Sequence, residues 1–340
     1  MAFQEIPVVS LASLDPGVLC RICHEVGFFQ LVDHGVDPGF VDDYFSTMQA
    51  FFALPDEVKA TIDKDRSPWF RGWERLGSEL TDNNVDHREQ VDVWTAHPPH
   101  PGDVRPVFLR LEGPNQWPDD VLPSFRPLVE RFQREMGAIA DRLMAAMCVG
   151  LGLEPDHLDR LFGERRMSLV KLIHYPATPE GEAGVNAHHD AGFLTLLWQP
   201  DVEGLQAQNQ DGDWIDVPPS RDAIVVNLGE ILQSMTGNYF VATNHRVISP
   251  AERYTSGYFH GPDLRTRLDP LPLHPRFAEA VAASPHHREA GFMAKRDELL
   301  AGDRGVRSTG TETYGEQLWN YFNRSYPDLV ARHHADVVSA

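Results

Sequence analysis

Val18, Leu19, Ile22, Cys23 and Val26 recur at three- and four-residue steps, so residues 17–26 are expected to form a helix that Gly27 ends. Ile6-Pro7-Val8-Val9 before it and Phe28-Phe29-Gln30-Leu31-Val32 after it read as short strands. Asp37 is placed to cap a second helix with Phe40, Val41, Tyr44, Phe45, Met48 and Phe52 on its buried side. Residues 60–106 break the pattern: they are polar and irregular, with Trp69, Phe70, Trp73 and Trp94 embedded, and read as a lid or a long loop pinned to the core.

Leu128, Phe132, Met136, Ile139, Leu143 and Met147 restore helical spacing over roughly 125–151. Strands are then expected at 168–174, 194–199, 205–208, 214–217, 223–228, 243–248 and 255–260, several separated by Gly and Asp turns. Helices followed by many short strands predict a mostly β protein with flanking helices around a double-stranded β-helix, or jelly-roll, core. Three regions of one structural unit follow: an N-terminal mixed part at 1–165, the core at 166–265 and a C-terminal part at 266–340. A helical tail from Gly315 to Asp328 is expected to pack back on the core.

Composition narrows the function classes. The 340 residues are 42% hydrophobic and 10% aromatic, enough for a substantial core. Fifty acidic against thirty basic residues give a formal charge of -20, which opposes binding to nucleic acid. No run of 18 apolar residues suggests a membrane span, and the N-terminus lacks the basic and apolar stretches of a secretory signal. Three cysteines, Cys20, Cys23 and Cys148, fit a reducing, cytoplasmic setting. The Cys20–Cys23 pair lies in an apolar helical pattern and reads as buried helix cysteines. A small-molecule partner is expected, and a monomer is compatible with the sequence.

The chemistry concentrates in Asn186-Ala187-His188-His189-Asp190 and in Asn244-His245-Arg246-Val247. In a strand, residues two apart face the same way, so His188 and Asp190 can point inward while His189 points out. Two imidazoles and a carboxylate suit ferrous iron and leave coordination positions free. His245 is the best third ligand, although His174, His260 and His274 compete on composition alone. Arg253 and Thr255 share a strand face and could bind a carboxylate by a fork contact plus a hydroxyl, with Tyr175 as a further donor.

These segments resemble the iron(II)/2-oxoglutarate-dependent dioxygenases of the isopenicillin N synthase-like group. The likeness runs through Gly27-Phe28-Phe29-Gln30-Leu31-Val32-Asp33-His34-Gly35-Val36, Phe51-Phe52-Ala53-Leu54-Pro55, residues 188–197, Asn244-His245-Arg246-Val247, Arg253-Tyr254-Thr255 and Arg324-Ser325-Tyr326-Pro327. It implies Fe(II) on His188, Asp190 and His245, with 2-oxoglutarate and O2 as co-substrates. The far carboxylate of 2-oxoglutarate would lie on Arg253 and Thr255, with Tyr175 nearby, and Asn227 would orient a ligand. Many plant members carry Asn where this chain has Ile173. The implied reaction hydroxylates, desaturates or cyclises a small molecule, in the manner of secondary metabolism, and releases succinate and CO2. An ethylene-forming enzyme that consumes 2-oxoglutarate itself, or an iron oxidase independent of 2-oxoglutarate, are the alternatives. Candidates for the substrate pocket are Phe259, Trp69, Arg71, Trp73, Trp94, Met235, Asn238 and Tyr239, with Arg71 or Arg75 able to bind an acidic group.

Overall fold

The computed structural model describes residues 2–81, 84–178, 182–289 and 313–338. Strands β1 (Val8–Ser10), β2 (Phe28–Val32), β3 (Gly72–Glu74), β6 (Glu89–Trp94), β7 (Leu169–Tyr175), β9 (Leu194–Trp198), β12 (Ile224–Leu228) and β14 (Arg253–His260) form one sheet, ordered β1-β2-β12-β9-β14-β7-β6-β3. A second sheet runs β11 (Trp214–Asp216), β10 (Leu205–Gln208), β13 (His245–Val247) and β8 (Val185–His188). A small hairpin joins β4 (Leu80–Thr81) to β5 (Asn84–Val85).

Residues directly opposite across antiparallel strands share a face, so the register tells which side each residue serves. Asn227 pairs with Thr195, Thr195 with Phe259, Phe259 with Leu169 and Leu169 with Trp94. In the same phase, Thr255 pairs with Ile173 and Ile173 with Gln90, while Lys171 pairs with Asp92. This face turns toward the second sheet: Phe28, Ile173, Tyr175 and Val225 cluster with Val185, Leu205, Ala207 and Val247. The opposite face is apolar and carries the helices. Val170, Leu172, Leu194, Leu196 and Tyr258 join a core with Met136, Ile139 and Leu143 of the helix Phe125–Gly150. Tyr44, from the helix Pro38–Phe52, reaches the same side and lies 2.7 Å from the hydroxyl of Ser256.

Helices flank both ends of the strand-rich region, so the architecture is mixed α/β rather than mostly β. The largest departure from expectation is at 60–106. This segment supplies β3 and β6, which extend the large sheet by two strands. Its regularity is concealed because β6 is buried throughout yet contains Glu89, Gln90 and Asp92. Buried charges on a central strand defeat a reading based on apolar alternation. The tail behaves as expected: Tyr314–Ser325 is a helix with a Thr313/Glu316 capping box, and Pro327–His333 follows it. Cys20 and Cys23 are buried free thiols in the helix Pro16–Glu25.

Gly27 links that helix to β2. Its φ of 65° lies in the left-handed region, and a Cβ there would stand 1.9 Å from the Val241 carbonyl oxygen. Both strain and collision therefore oppose any side chain. Gly27→Ala is expected to lose about 1–3 kcal/mol of stability, seen as a lower urea midpoint; an unchanged midpoint would contradict this account of the helix-to-strand junction.

Candidate active site

His188 is the last residue of β8 and pairs directly with His245 of β13, bringing their ring centroids to 4.3 Å. Asp190 lies just beyond β8, so strand parity does not aim it, contrary to the sequence-based argument. Its position is fixed instead by its surroundings. The Asp190 carbonyl accepts from Glu230 N at 2.8 Å, at the start of the short helix Glu230–Met235. Its Oδ2 accepts from Asn227 Nδ2 at 2.7 Å and from the Thr195 hydroxyl. Oδ1 is left facing the imidazoles, 3.6 Å from His188 Nε2 and 3.8 Å from His245 Nε2.

The two rings are held in a ligating orientation. His188 Nδ1 lies 2.8 Å from the Asn186 carbonyl and His245 Nδ1 lies 3.0 Å from the Thr243 carbonyl. A carbonyl only accepts, so each Nδ1 carries the proton and each Nε2 presents a lone pair. Burial, reinforced by the neighbouring His245, pushes His188 down to about 4, which keeps its imidazole neutral near pH 7. Burial also opposes charge on Asp190, but His245, His188 and the bonds from Thr195 and Asn227 outweigh it and hold the carboxyl below its ordinary range. Ligand atoms of His188, Asp190 and His245 all lie within 4.8 Å of one another, the one such cluster of three or more among the described residues. Two imidazoles and one carboxylate match the donor set that ferrous iron takes with open positions.

The competing histidines are engaged elsewhere. His174 sits between Glu89 and Glu252, His260 stacks on Phe162 at 4.0 Å, and His274 caps the helix Pro275–Ala283.

On the sheet face that carries Thr195 and Asn227, Arg253 is 1% exposed. Its one hydrogen bond runs from Nη2 to Gln199 Oε1 at 2.7 Å, while Nε and Nη1 are buried without a partner. Desolvation accordingly pulls its pKa down. Thr255 is equally buried and in phase with Arg253, and the guanidinium lies 5.2 Å from the Tyr175 ring. Ile173 pairs with Thr255 and adds apolar surface to this wall. An unsatisfied buried fork of this kind fits an incoming carboxylate.

Of the pocket candidates, Phe259 is in phase with Thr195, and Trp94 faces the same side of the sheet. The others have different work. Trp73 pairs with Val91 on the helix side and donates from Nε1 to Glu89 at 2.8 Å. Arg71 is spent on the Leu111 carbonyl at 2.9 Å and on Asn115 at 3.2 Å. Arg75 is more than half exposed and faces Asp63. Trp69 lies against Gly113, where a Cβ would be 2.4 Å from the indole. Met235 is buried in the larger apolar core, Asn238 takes a left-handed turn at φ 64°, and Tyr239 stacks on His24 at 4.2 Å. For these seven side chains, aromatic, ionic and backbone contacts away from the metal cluster account for their positions. Thr195 and Gln199, which bond Asp190 and Arg253, are the contacts that sequence reasoning missed. Their signal was a polar residue at an inward phase of the otherwise apolar strand 194–199.

Comparison with known proteins agrees with this geometry. Residues 6–120 match the family described as non-haem dioxygenase in morphine synthesis N-terminal, and residues 166–262 match the 2OG-Fe(II) oxygenase superfamily. A 2-oxoglutarate-dependent dioxygenase of Dothideomycetidae sp. (strain 11243) is 34% identical over 317 residues, covering 88% of this chain and 84% of the relative. Homoarginine-6-hydroxylase 2-ODD-C23 of Glycine max is 30% identical over 301 residues, covering 80% and 90%. A crystal structure of a 2OG-Fe(II) oxygenase family protein from Caulobacter crescentus superposes with a TM-score of 0.71 at 23% identity, covering 95% and 99%. The chain belongs to the 2OG-Fe(II) oxygenase superfamily, in its isopenicillin N synthase-like branch. It is an Fe(II)- and 2-oxoglutarate-dependent oxygenase that acts on a small organic molecule.

Asn227 would act on a bound iron through Asp190, whose Oδ2 it holds. Asn227→Leu is therefore expected to weaken Fe(II) binding about 10- to 100-fold, measured by anaerobic titration. Wild-type affinity in that variant would remove Asn227 from its positioning role.

Proposed function

We propose that His188, Asp190 and His245 hold the iron, and that Arg253 and Thr255 receive the far carboxylate of 2-oxoglutarate beside Tyr175, in a small-molecule hydroxylase. The single observation that carries the co-substrate assignment is Arg253: a guanidinium almost wholly buried, with two unpartnered nitrogens and no carboxylate of its own. Each unsatisfied buried donor costs about 1–3 kcal/mol, so a ligand carboxylate there relieves a standing penalty. This also disfavours an iron oxidase independent of 2-oxoglutarate, which has no use for such a clamp. The two sheets, packed through the apolar cluster around Ile173 and Val225, are read as the halves of a double-stranded β-helix.

When bound, iron with 2-oxoglutarate and O2 supplies the oxidising power, with succinate and CO2 released. The chain's residues bind, orient and exclude water. Asn227 and Thr195 fix which oxygen of Asp190 is offered to the metal. Gln199 anchors Arg253 on one side and donates to the Val217 carbonyl at 3.0 Å on the other, so the fork keeps its direction before any ligand arrives. Phe259 adds an apolar wall near the triad. Residues 166–265 are read as the part that carries this chemistry, with the described residues on either side packed around it.

The relatives support hydroxylation of a small substrate. One is named as a hydroxylase of homoarginine, and the other as a 2-oxoglutarate-dependent dioxygenase. No described helix is long and apolar enough to cross a membrane. The three free buried thiols support a reducing, cytoplasmic setting.

Anaerobic addition of Fe(II) and 2-oxoglutarate is expected to produce a metal-to-ligand absorption band that His188→Ala and Asp190→Ala abolish; retention of the band in either variant contradicts the iron assignment. Arg253→Leu is expected to raise the 2-oxoglutarate concentration needed for half-maximal succinate release at least tenfold. Unchanged dependence removes Arg253 from the clamp. Ethylene released without any third substrate would overturn the hydroxylase reading.

A further inference from the structure

Eleven buried side-chain polar atoms have no hydrogen-bond partner among the described residues. Two belong to Arg253. Four others form a row along one edge of the metal-facing side: Arg88 Nε, Gln90 Oε1, Asp92 Oδ1 and Trp94 Nε1. Gln90, Asp92 and Trp94 are alternate residues of β6, in register with Ile173, Lys171 and Leu169, and Arg88, just before the strand, joins them through Glu79, which Lys171 also bonds. All four side chains are at least nine-tenths buried. Such a concentration on one strand face is costly unless a ligand supplies the missing partners.

The chemistry of the row constrains that ligand. Gln90 donates its amide nitrogen to Glu74 Oε2 at 2.5 Å, which leaves its oxygen as the unpaired atom. The two central positions, Gln90 Oε1 and Asp92 Oδ1, are therefore both acceptors. Around them the ion pairs are unequal. Lys64 bonds Glu74 at 2.5 Å and Asp92 Oδ2 at 2.6 Å, while Arg88 bonds Glu79 at 2.7 Å and Asp86 at 3.0 Å. Lys171 bonds both oxygens of Glu79, at 3.1 and 3.2 Å, and stands 3.6 Å from Asp92 Oδ1, beyond hydrogen-bond reach. Among the described residues, Glu74, Glu79, Asp86 and Asp92 thus cluster with Lys64, Arg88 and Lys171 in a dry environment. Burial opposes charge on Lys64, but Asp92 and Glu74 outweigh it and keep the ammonium protonated. A substrate cation would satisfy both acceptors at once. Arg88 Nε and Trp94 Nε1, at the two ends of the row, are donors suited to an acceptor group elsewhere on the same molecule.

We infer that the substrate carries a protonated nitrogen group, ammonium or guanidinium, that seats between Gln90 and Asp92 on the inner edge of β6. The inference rests on the oxygenase reading above and adds to it the substrate class and the residues that select it. A purely structural ion cluster would fill the space without preferring any ligand charge.

The test uses the full chain loaded anaerobically with Fe(II) and 2-oxoglutarate, then exposed to O2 with matched probes. Agmatine, L-homoarginine, putrescine and L-lysine supply the cation; carbamoylputrescine and L-homocitrulline replace guanidinium by an uncharged urea of nearly the same shape. At least one guanidinium compound is expected to drive succinate release tenfold or more above its urea counterpart, or an ammonium compound to do so above the substrate-free rate. Asp92→Asn should bring the cation-to-neutral ratio close to one, and the ratio within one variant is insensitive to a partial loss of folded protein. Should that variant not fold, Gln90→Leu is expected to raise the KM of the responding cation, and the wild-type comparison needs no variant at all. Equal response to charged and uncharged partners, no response to any cation, or an unchanged ratio in Asp92→Asn overturns the inference. In each of these the absorption band with iron and 2-oxoglutarate still forms; its absence would instead overturn the oxygenase reading.

Discussion

One continuous register across β12, β9, β14, β7 and β6 places Asn227, Thr195, Phe259, Leu169 and Trp94 in a line on the same side of the large sheet. Because side chains alternate, a one-residue slip in any of these pairings would send a whole strand's inward residues to the helix side. The iron ligand Asp190 depends on this register twice. Its Oδ2 is tied by Asn227 from β12 and by Thr195 from β9, so only the pairing of those two strands leaves Oδ1 aimed at the histidines. The apolar residues of the opposite phase, such as Leu172, Leu196 and Tyr258, hold the register by packing under the helix Phe125–Gly150.

The same alternation explains how one sheet tolerates so much buried polarity. The helix side is apolar and dry and supplies the burial that stabilises the fold. The metal side concentrates groups that are poorly satisfied by the protein itself: the Arg253 fork and the β6 row. Unpartnered polar atoms gather on this face in the Arg253 fork and the β6 row, the pattern expected where a site is built for ligands. The ion pairs of Lys64 and Lys171 give that region a fixed shape, since breaking a buried pair leaves an uncompensated charge.

Where apolar periodicity was strong, the elements were legible in the sequence. The helix Phe125–Gly150 and strands β2, β9, β10 and β12 lie within a residue or so of their expected limits. The metal triad was legible for a different reason: an H-x-D spacing is common by chance, but its ordered match with residues 188–197 and Asn244-His245-Arg246-Val247 of a known family singled out these three side chains. What could not be read was β6, because Glu89, Gln90 and Asp92 disguise a fully buried strand as a polar loop. The same cause hid Arg88 and Asp92 as site candidates and promoted Trp69 and Trp73, whose size suggested a pocket but whose contacts are with Gly113 and Glu89. Aromatic side chains advertise burial without telling which face they are buried on.

The central claim is that three separated side chains share one ferrous ion while Arg253 waits for a carboxylate on the same sheet face. A crystal structure of the anaerobic protein with Fe(II) and 2-oxoglutarate tests it most directly. The account predicts iron bound by His188 Nε2, Asp190 Oδ1 and His245 Nε2, with the far carboxylate of 2-oxoglutarate accepting from Arg253 Nε or Nη1. Iron located away from this trio, or 2-oxoglutarate bound with its far carboxylate out of reach of Arg253, would contradict it.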